Sequence, residues 1–219
     1  MSELILPFIA VSLIHVLGES FRILKIRYIT KPLLLPLLAF YYLANAPEPS
    51  TLLLLAMAGG WLGDIFLMLP DPEKKRRWFK AGLVAFLIGH ILYISVFIDA
   101  ALGKISFSGP LWVLMAFVFL YGFLVFVKLK PYMGKMAPAI TLYIAMIAAM
   151  GISTVLCMPG QRLGPALTVI AGALFFMVSD TVNGWNRFAK EVPYERLITM
   201  PTYLAGQGLL VAGYLNFVH

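Results

Sequence analysis

Apolar residues run through this chain in long, nearly charge-free blocks rather than in the amphipathic stripes of a soluble domain. Eight blocks stand out, over residues 2 to 20, 30 to 46, 50 to 69, 79 to 101, 109 to 128, 136 to 157, 163 to 187 and 197 to 217. Each is about long enough to cross a hydrocarbon core as an α-helix, and short connections rich in charge, Pro or Gly separate them. A closed β-barrel would need alternating segments of about ten residues instead. The pattern predicts an all-α integral membrane protein, a bundle of eight transmembrane helices, with residues 1–219 as a single transmembrane helical domain.

Composition agrees: 61% of residues are hydrophobic and 12% charged, more apolar surface than a soluble fold could cover. Charge placement then orients the bundle, because Lys and Arg accumulate in cytoplasmic connections. The first connection carries Arg22, Lys25, Arg27 and Lys31, and the third Lys74, Lys75, Arg76, Arg77 and Lys80. The fifth carries Lys128, Lys130 and Lys135, and the seventh Arg187, Lys190 and Arg196. Only Lys104 and Arg162 of the seventeen basic residues fall on the other side. Both termini are therefore expected to be non-cytoplasmic. The net charge of +7 reads as topology and contact with anionic headgroups, and nothing in the chain resembles a nucleic-acid module. The first block begins at Glu3 without a basic leader and reads as a retained helix rather than a cleaved signal peptide.

Two aspartates lie inside these blocks: Asp64, in Gly-Gly-Trp-Leu-Gly-Asp, and Asp180, in Phe-Phe-Met-Val-Ser-Asp. A carboxylate in a bilayer is costly and marks a candidate site. Both blocks run toward the cytoplasm, so at about 1.5 Å per residue Asp64 sits roughly 9 Å, and Asp180 roughly 10 Å, inside the cytoplasmic boundary. Glu19 lies near the cytoplasmic end of the first block with His15 one turn deeper, while His90 and Gln207 lie near the midplane. Asp180, Asn183 and Arg187 form one stripe along the seventh block; His90 shares a face with Tyr93, and Gln207 with Tyr203. Gly59, Gly60 and Gly63 remove bulk before Asp64, which permits close helix packing or the approach of a ligand.

Each feature also has a purely structural reading. A buried Asp can cap a neighbouring helix or sit in a hydrogen bond. His90 and Gln207 read as interhelical hydrogen-bonding residues, and Glu19 with Lys31 as a structural ion pair or as snorkelling side chains. Trp78, Trp112 and Trp185 read as interfacial anchors. Cys157, the one cysteine, reads as a buried apolar residue, and the three histidines His15, His90 and His219 make a zinc site improbable.

Five short motifs in order carry a resemblance: Lys31-Pro32-Leu33; Leu62-Gly63-Asp64 followed by Phe66-Leu67-Met68; Gly89-His90 with Tyr93; Phe175 to Asp180 with Asn186 to Phe188; and Tyr203 with Gln207. Together they resemble the YhhN-like lysoplasmalogenase family from the second block to the eighth. The chain departs from that pattern at Gly60-Trp61 and Asn183. The resemblance implies a hydrolase that cleaves the vinyl ether of a lysoplasmalogen, with choline or ethanolamine headgroup, into a fatty aldehyde and a glycerophospho-headgroup. It implies Asp64 and Asp180 as the catalytic pair, with neither metal nor cofactor, in a bacterial inner membrane or a eukaryotic endomembrane. Substrate contacts are expected from Glu19, Arg22, Lys31, His90, Tyr93, Asn183, Arg187, Tyr203 and Gln207.

Two other classes fit the same residues. An ion-coupled transporter would use Asp64 and Asp180 as proton or cation sites, although Pro and Gly do not fall in the paired breaks of discontinuous helices. A non-catalytic lipid-binding or scaffold protein is the third.

Overall fold

A computed structural model describes residues 3–70 and 76–217. Lys74 and Lys75, counted above in the third connection, lie outside the described residues, as does His219. Among the described residues the chain forms eight α-helices and no strand: α1 (Leu6–Ser20), α2 (Leu24–Asn45), α3 (Thr51–Met68), α4 (Arg77–Ala101), α5 (Gly109–Leu129), α6 (Ala137–Leu156), α7 (Leu163–Phe188) and α8 (Glu195–Leu215). Short 3-10 turns cover Glu3–Ile5, Lys130–Tyr132 and Gly134–Met136.

Each helix coincides with one expected block. The largest shift is at α2, which starts at Leu24 rather than near residue 30. Hydropathy reports where the apolar run begins, whereas the backbone ladder continues through the charged turn that carries Lys25 and Arg27. Pro7, Pro110 and Pro138 sit in the opening turns of α1, α5 and α6, where a missing N–H costs nothing. Ser50 caps α3 by accepting from Leu53 N–H at 3.4 Å.

Six helices, α1 and α3 to α7, are long and apolar enough to cross a membrane by length and composition. They make this an integral, multi-pass membrane protein. The other two are more polar: α2 holds Lys25, Arg27, Lys31, Pro32 and Pro36, and α8 holds Glu195, Arg196, Pro201 and Gln207. Large apolar side chains face outward on α5, including Trp112, Val113, Phe117 and Phe119, as expected of a helix bathed in acyl chains.

The chain divides within α4 into two compact units, residues 1–93 and 94–219. In the first, Leu34, Leu38, Leu53 and Ala56 are fully buried between α2 and α3. Here α3 meets α4 at Gly59 and Gly89, where a Cβ on Gly59 would stand 2.8 Å from the Gly89 Cα. The turn from α1 to α2 is a Schellman motif: Ile23 N–H donates to Gly18 O at 2.8 Å and Arg22 N–H to Glu19 O at 3.2 Å. Arg22 takes the left-handed position, φ 56°, that glycine usually fills.

In the second unit, α5, α6 and α7 share a core that includes Leu111, Val118, Ile147, Val155, Ile170 and Met177. Here α7 packs closely against α8. A Cβ on Gly172 would lie 2.7 Å from Leu210 N, and one on Gly206 would lie 3.0 Å from Gly172 O. Cys157 is fully buried and its thiol donates to Thr154 O at 3.1 Å, in line with the apolar role expected of it.

Candidate active site

The first unit gathers most of its buried polar groups between α1, α2 and α3. Asp64 is buried, and Lys31 reaches it from α2 with Nζ 3.0 Å from Oδ1; only 8% of the lysine side chain and 5% of the aspartate remain exposed. The counter-charge lies thirty-three positions earlier in the chain, which is why no local motif announces it. Two features hold the partners in register. Pro36 has no N–H, so the helix leaves the carbonyl of Pro32 without its usual donor, and Trp61 Nε1 donates to that carbonyl at 2.8 Å. Trp61 stands one turn from Asp64 and Pro32 stands next to Lys31, so this bond fixes α3 against α2 beside the ion pair. On its other side α3 is close-packed, since a Cβ on Gly63 would clash with the Phe86 ring at 2.5 Å.

Glu19 does not pair with Lys31, the structural pairing offered by sequence alone. Arg27 Nε lies 3.2 Å from Glu19 Oε1, and His15 Nε2 lies 4.0 Å from the same oxygen. One turn of α2 separates Arg27 from Lys31, and the shallower cation meets the shallower carboxylate. Thr30 gives its hydroxyl hydrogen to Ile26 O at 2.6 Å, so its oxygen accepts from His15 Nδ1 at 2.7 Å. His90 is buried and its Nδ1 donates to Phe86 O at 2.6 Å within α4, which makes Nε2 the acceptor nitrogen of the neutral ring. Tyr93, one turn on, is also buried, whereas Arg22 is exposed at the α1 to α2 turn.

In the second unit Asp180 is partly buried on α7, and its Oδ2 accepts from the Tyr143 hydroxyl of α6 at 2.9 Å. The next residue makes a parallel bond. Thr181 gives its own hydrogen to Met177 O at 2.8 Å and therefore accepts from Tyr121 OH at 2.9 Å, which ties α5 to α7. Ser179 donates across to Thr199 O of α8 at 3.0 Å. Tyr203 packs edge-on against Phe176, with ring centroids 5.3 Å apart, and Gln207 is fully buried one turn deeper on the same face. Asn183 is partly buried, and Arg187 is exposed in the last turn of α7, where a cation also suits the helix dipole.

Of the expected residues, Glu19, Lys31 and Asp64 thus lie in one hydrogen-bonded and ion-paired region of the first unit. Asp180, Tyr203 and Gln207 are held by α6, α7 and α8 of the second. Sequence reasoning missed Arg27, Trp61 and Tyr143. Tyr143 stands in an apolar helix with no charged neighbour and gave no signal. Among the described residues, no three His, Cys, Asp or Glu side chains come together to hold a metal ion.

Comparison with known proteins gives a consistent result. Lysoplasmalogenase TMEM86A of Homo sapiens is 29% identical over 177 residues, which are 75% of this chain and 65% of that protein. Lysoplasmalogenase TMEM86A of Bos taurus is 32% identical over 157 residues, 68% of this chain and 59% of that protein. Lysoplasmalogenase TMEM86B of Sus scrofa is 31% identical over 149 residues, 68% of this chain and 57% of that protein. The chain therefore spans less than two thirds of the length of these relatives. No solved structure matches it. The YhhN family model matches residues 26–214, from the first turn of α2 to the last of α8, and the chain belongs to the YhhN family.

Proposed function

We propose that this protein is a lysoplasmalogenase, hydrolysing the vinyl ether of 1-alkenyl-glycerophosphocholine or 1-alkenyl-glycerophosphoethanolamine to a fatty aldehyde and the glycerophospho-headgroup. Support comes from its family, from the names of its relatives, and above all from a carboxylate held as an ion pair inside an apolar helix bundle. An intramembrane ion pair is costly to keep unless it serves a task.

In this reading Asp180 and Asp64 divide acid and base work on one substrate. Asp180, next to the apolar turn Phe176 and Met177, carries the proton and delivers it to the β-carbon of the vinyl ether, and the Tyr143 hydroxyl steadies the carboxylate left behind. The resulting oxocarbenium ion takes up water as Asp64, the ionised member, removes a water proton. The hemiacetal then collapses: its hydroxyl proton returns to Asp180, the carbon–oxygen bond to glycerol breaks, and Asp64 protonates the departing oxygen. Both carboxyl groups end as they began and no net proton is consumed. The division of labour parallels paired-carboxylate glycosidases in mechanism only.

Eight transmembrane spans with both termini away from the cytoplasm complete the proposal. They place the substrate phosphate under the basic cytoplasmic rim and its alkenyl chain deeper among Leu, Phe and Met side chains. Purified protein should release aldehyde from both lysoplasmalogens, and Asp64→Asn and Asp180→Asn should each abolish release while eluting as folded protein. An active Asp180→Asn enzyme would sink the acid-base scheme. Ion flux in proteoliposomes without turnover would favour the transporter reading instead.

A further inference from the structure

The Lys31–Asp64 pair invites a question that stability does not answer. A buried ion pair is often no better than an apolar pair of the same volume, and an ammonium 3.0 Å from Oδ1 occupies a carboxylate oxygen that a general base would turn toward water. We propose that Lys31 is a phosphate-reading positioning residue. The substrate's phosphodiester draws its ammonium away from Asp64, and the carboxylate is released to the reacting water only when a phosphorylated lipid is bound. This inference rests on the lysoplasmalogenase reading.

Four observations carry it. First, the cation is a lysine, a compact charge on a flexible stem with three rotatable donors, rather than the rigid fork of an arginine that would clamp the carboxylate. Second, side chains tilt toward the N-terminal end of their own helix, and the N-terminal end of α2 carries the basic residues Lys25 and Arg27. From one Cα the ammonium can therefore reach across to Asp64 or up toward a headgroup. Third, the frame around it is tied down. Trp61 holds the Pro32 carbonyl at 2.8 Å, Thr30 accepts from His15 at 2.7 Å, and Arg27 engages Glu19 at 3.2 Å. The side chain can swing without the backbone following. Fourth, a phosphodiester anion competes with a carboxylate for an ammonium by the same charge-assisted hydrogen bonds.

The test uses full-length protein in detergent, 1-alkenyl-glycerophosphoethanolamine, and the phosphate-free 1-alkenylglycerol, with dimethyl phosphate as the detached anion. Wild-type kcat should fall roughly 10- to 100-fold on the phosphate-free substrate, the range of one charge-assisted hydrogen bond, and dimethyl phosphate should restore part of it. Lys31→Met should turn over both substrates with similar kcat and ignore dimethyl phosphate. Lys31→Arg, which grips Asp64 more firmly, should lower kcat with little change in KM. Lys104→Met, which removes an exposed cation in the connection after α4, should behave as wild type and exclude a general effect of losing one positive charge. The wild-type arms stand by themselves if Lys31→Met does not fold. A wild-type enzyme that discriminates between the two substrates in KM alone, or shows no rescue, overturns the inference. Absence of aldehyde from both substrates overturns the lysoplasmalogenase reading and this inference with it.

Discussion

Lys31 and Asp64 face each other at 3.0 Å across α2 and α3, with both side chains under a tenth exposed. Removing one member leaves a buried charge uncompensated and costs about 3 to 5 kcal/mol, whereas removing both together is close to neutral. Lys31→Met should therefore lower the thermal midpoint of the purified protein more than the double variant Lys31→Met with Asp64→Asn. If the single and double variants melt at the same temperature, the pair carries no such coupling.

The hydrogen bond from Tyr143 to Asp180 gives a contrast between two phenols. Tyr143→Phe removes the donor to Asp180 and should lower kcat for aldehyde release about tenfold or more, the value of one hydrogen bond to a carboxyl group. Tyr121→Phe removes a donor to Thr181 instead and should leave kcat within about threefold, the effect of one neutral hydrogen bond. Equal losses in both variants would assign Tyr143 to packing alone.

Glycines in α7 should differ sharply by position. Gly172→Ala places a Cβ 2.7 Å from the Leu210 backbone nitrogen, where the helices must move apart, and should cost about 1 to 3 kcal/mol. Gly164→Ala meets nothing within 4 Å and should be neutral or stabilising by up to about 1 kcal/mol. Thermal unfolding of the two variants in the same detergent decides it.

Topology can be read with a membrane-impermeant thiol reagent on a Cys157→Ala background. Cysteines placed at Gly103 and Gly160, in the connections after α4 and α6, should label from the non-cytoplasmic side. A cysteine at Gly134, between α5 and α6, should label only after the cytoplasmic side is opened. The reverse pattern would invert the orientation drawn from the basic residues.

Much of the architecture was legible in one dimension because membrane helices satisfy their backbone internally. Length, apolarity and flanking charge then suffice to place each of them. All eight helices were located that way, and the one sizeable boundary shift, at α2, arose where the helix continues through the charged turn that carries Lys25 and Arg27. The buried state of Asp64, His90 and Gln207 was legible for the same reason, since each lies deep inside an apolar block. Partnerships were not. Glu19 and Lys31 were opposite in charge and near one boundary, yet the fold gave Glu19 to Arg27 and Lys31, one turn further along α2, to Asp64, a choice that depends on how α1, α2 and α3 pack together. Trp61 and Pro32 found each other because Pro36 leaves a carbonyl unserved, a consequence readable only once α3 lies against α2.

By itself the sequence determined that this is a multi-pass helical membrane protein of the YhhN type, and which carboxyl groups stand inside its apolar blocks. Those are properties of residue order and hydration, and they hold before any helix meets another. Tertiary structure alone decided that Asp64 is half of an ion pair with Lys31 and that Asp180 is held by the Tyr143 phenol. Such contacts depend on which faces of separate helices turn toward each other, and interhelical packing, not local pattern, settles that rotation.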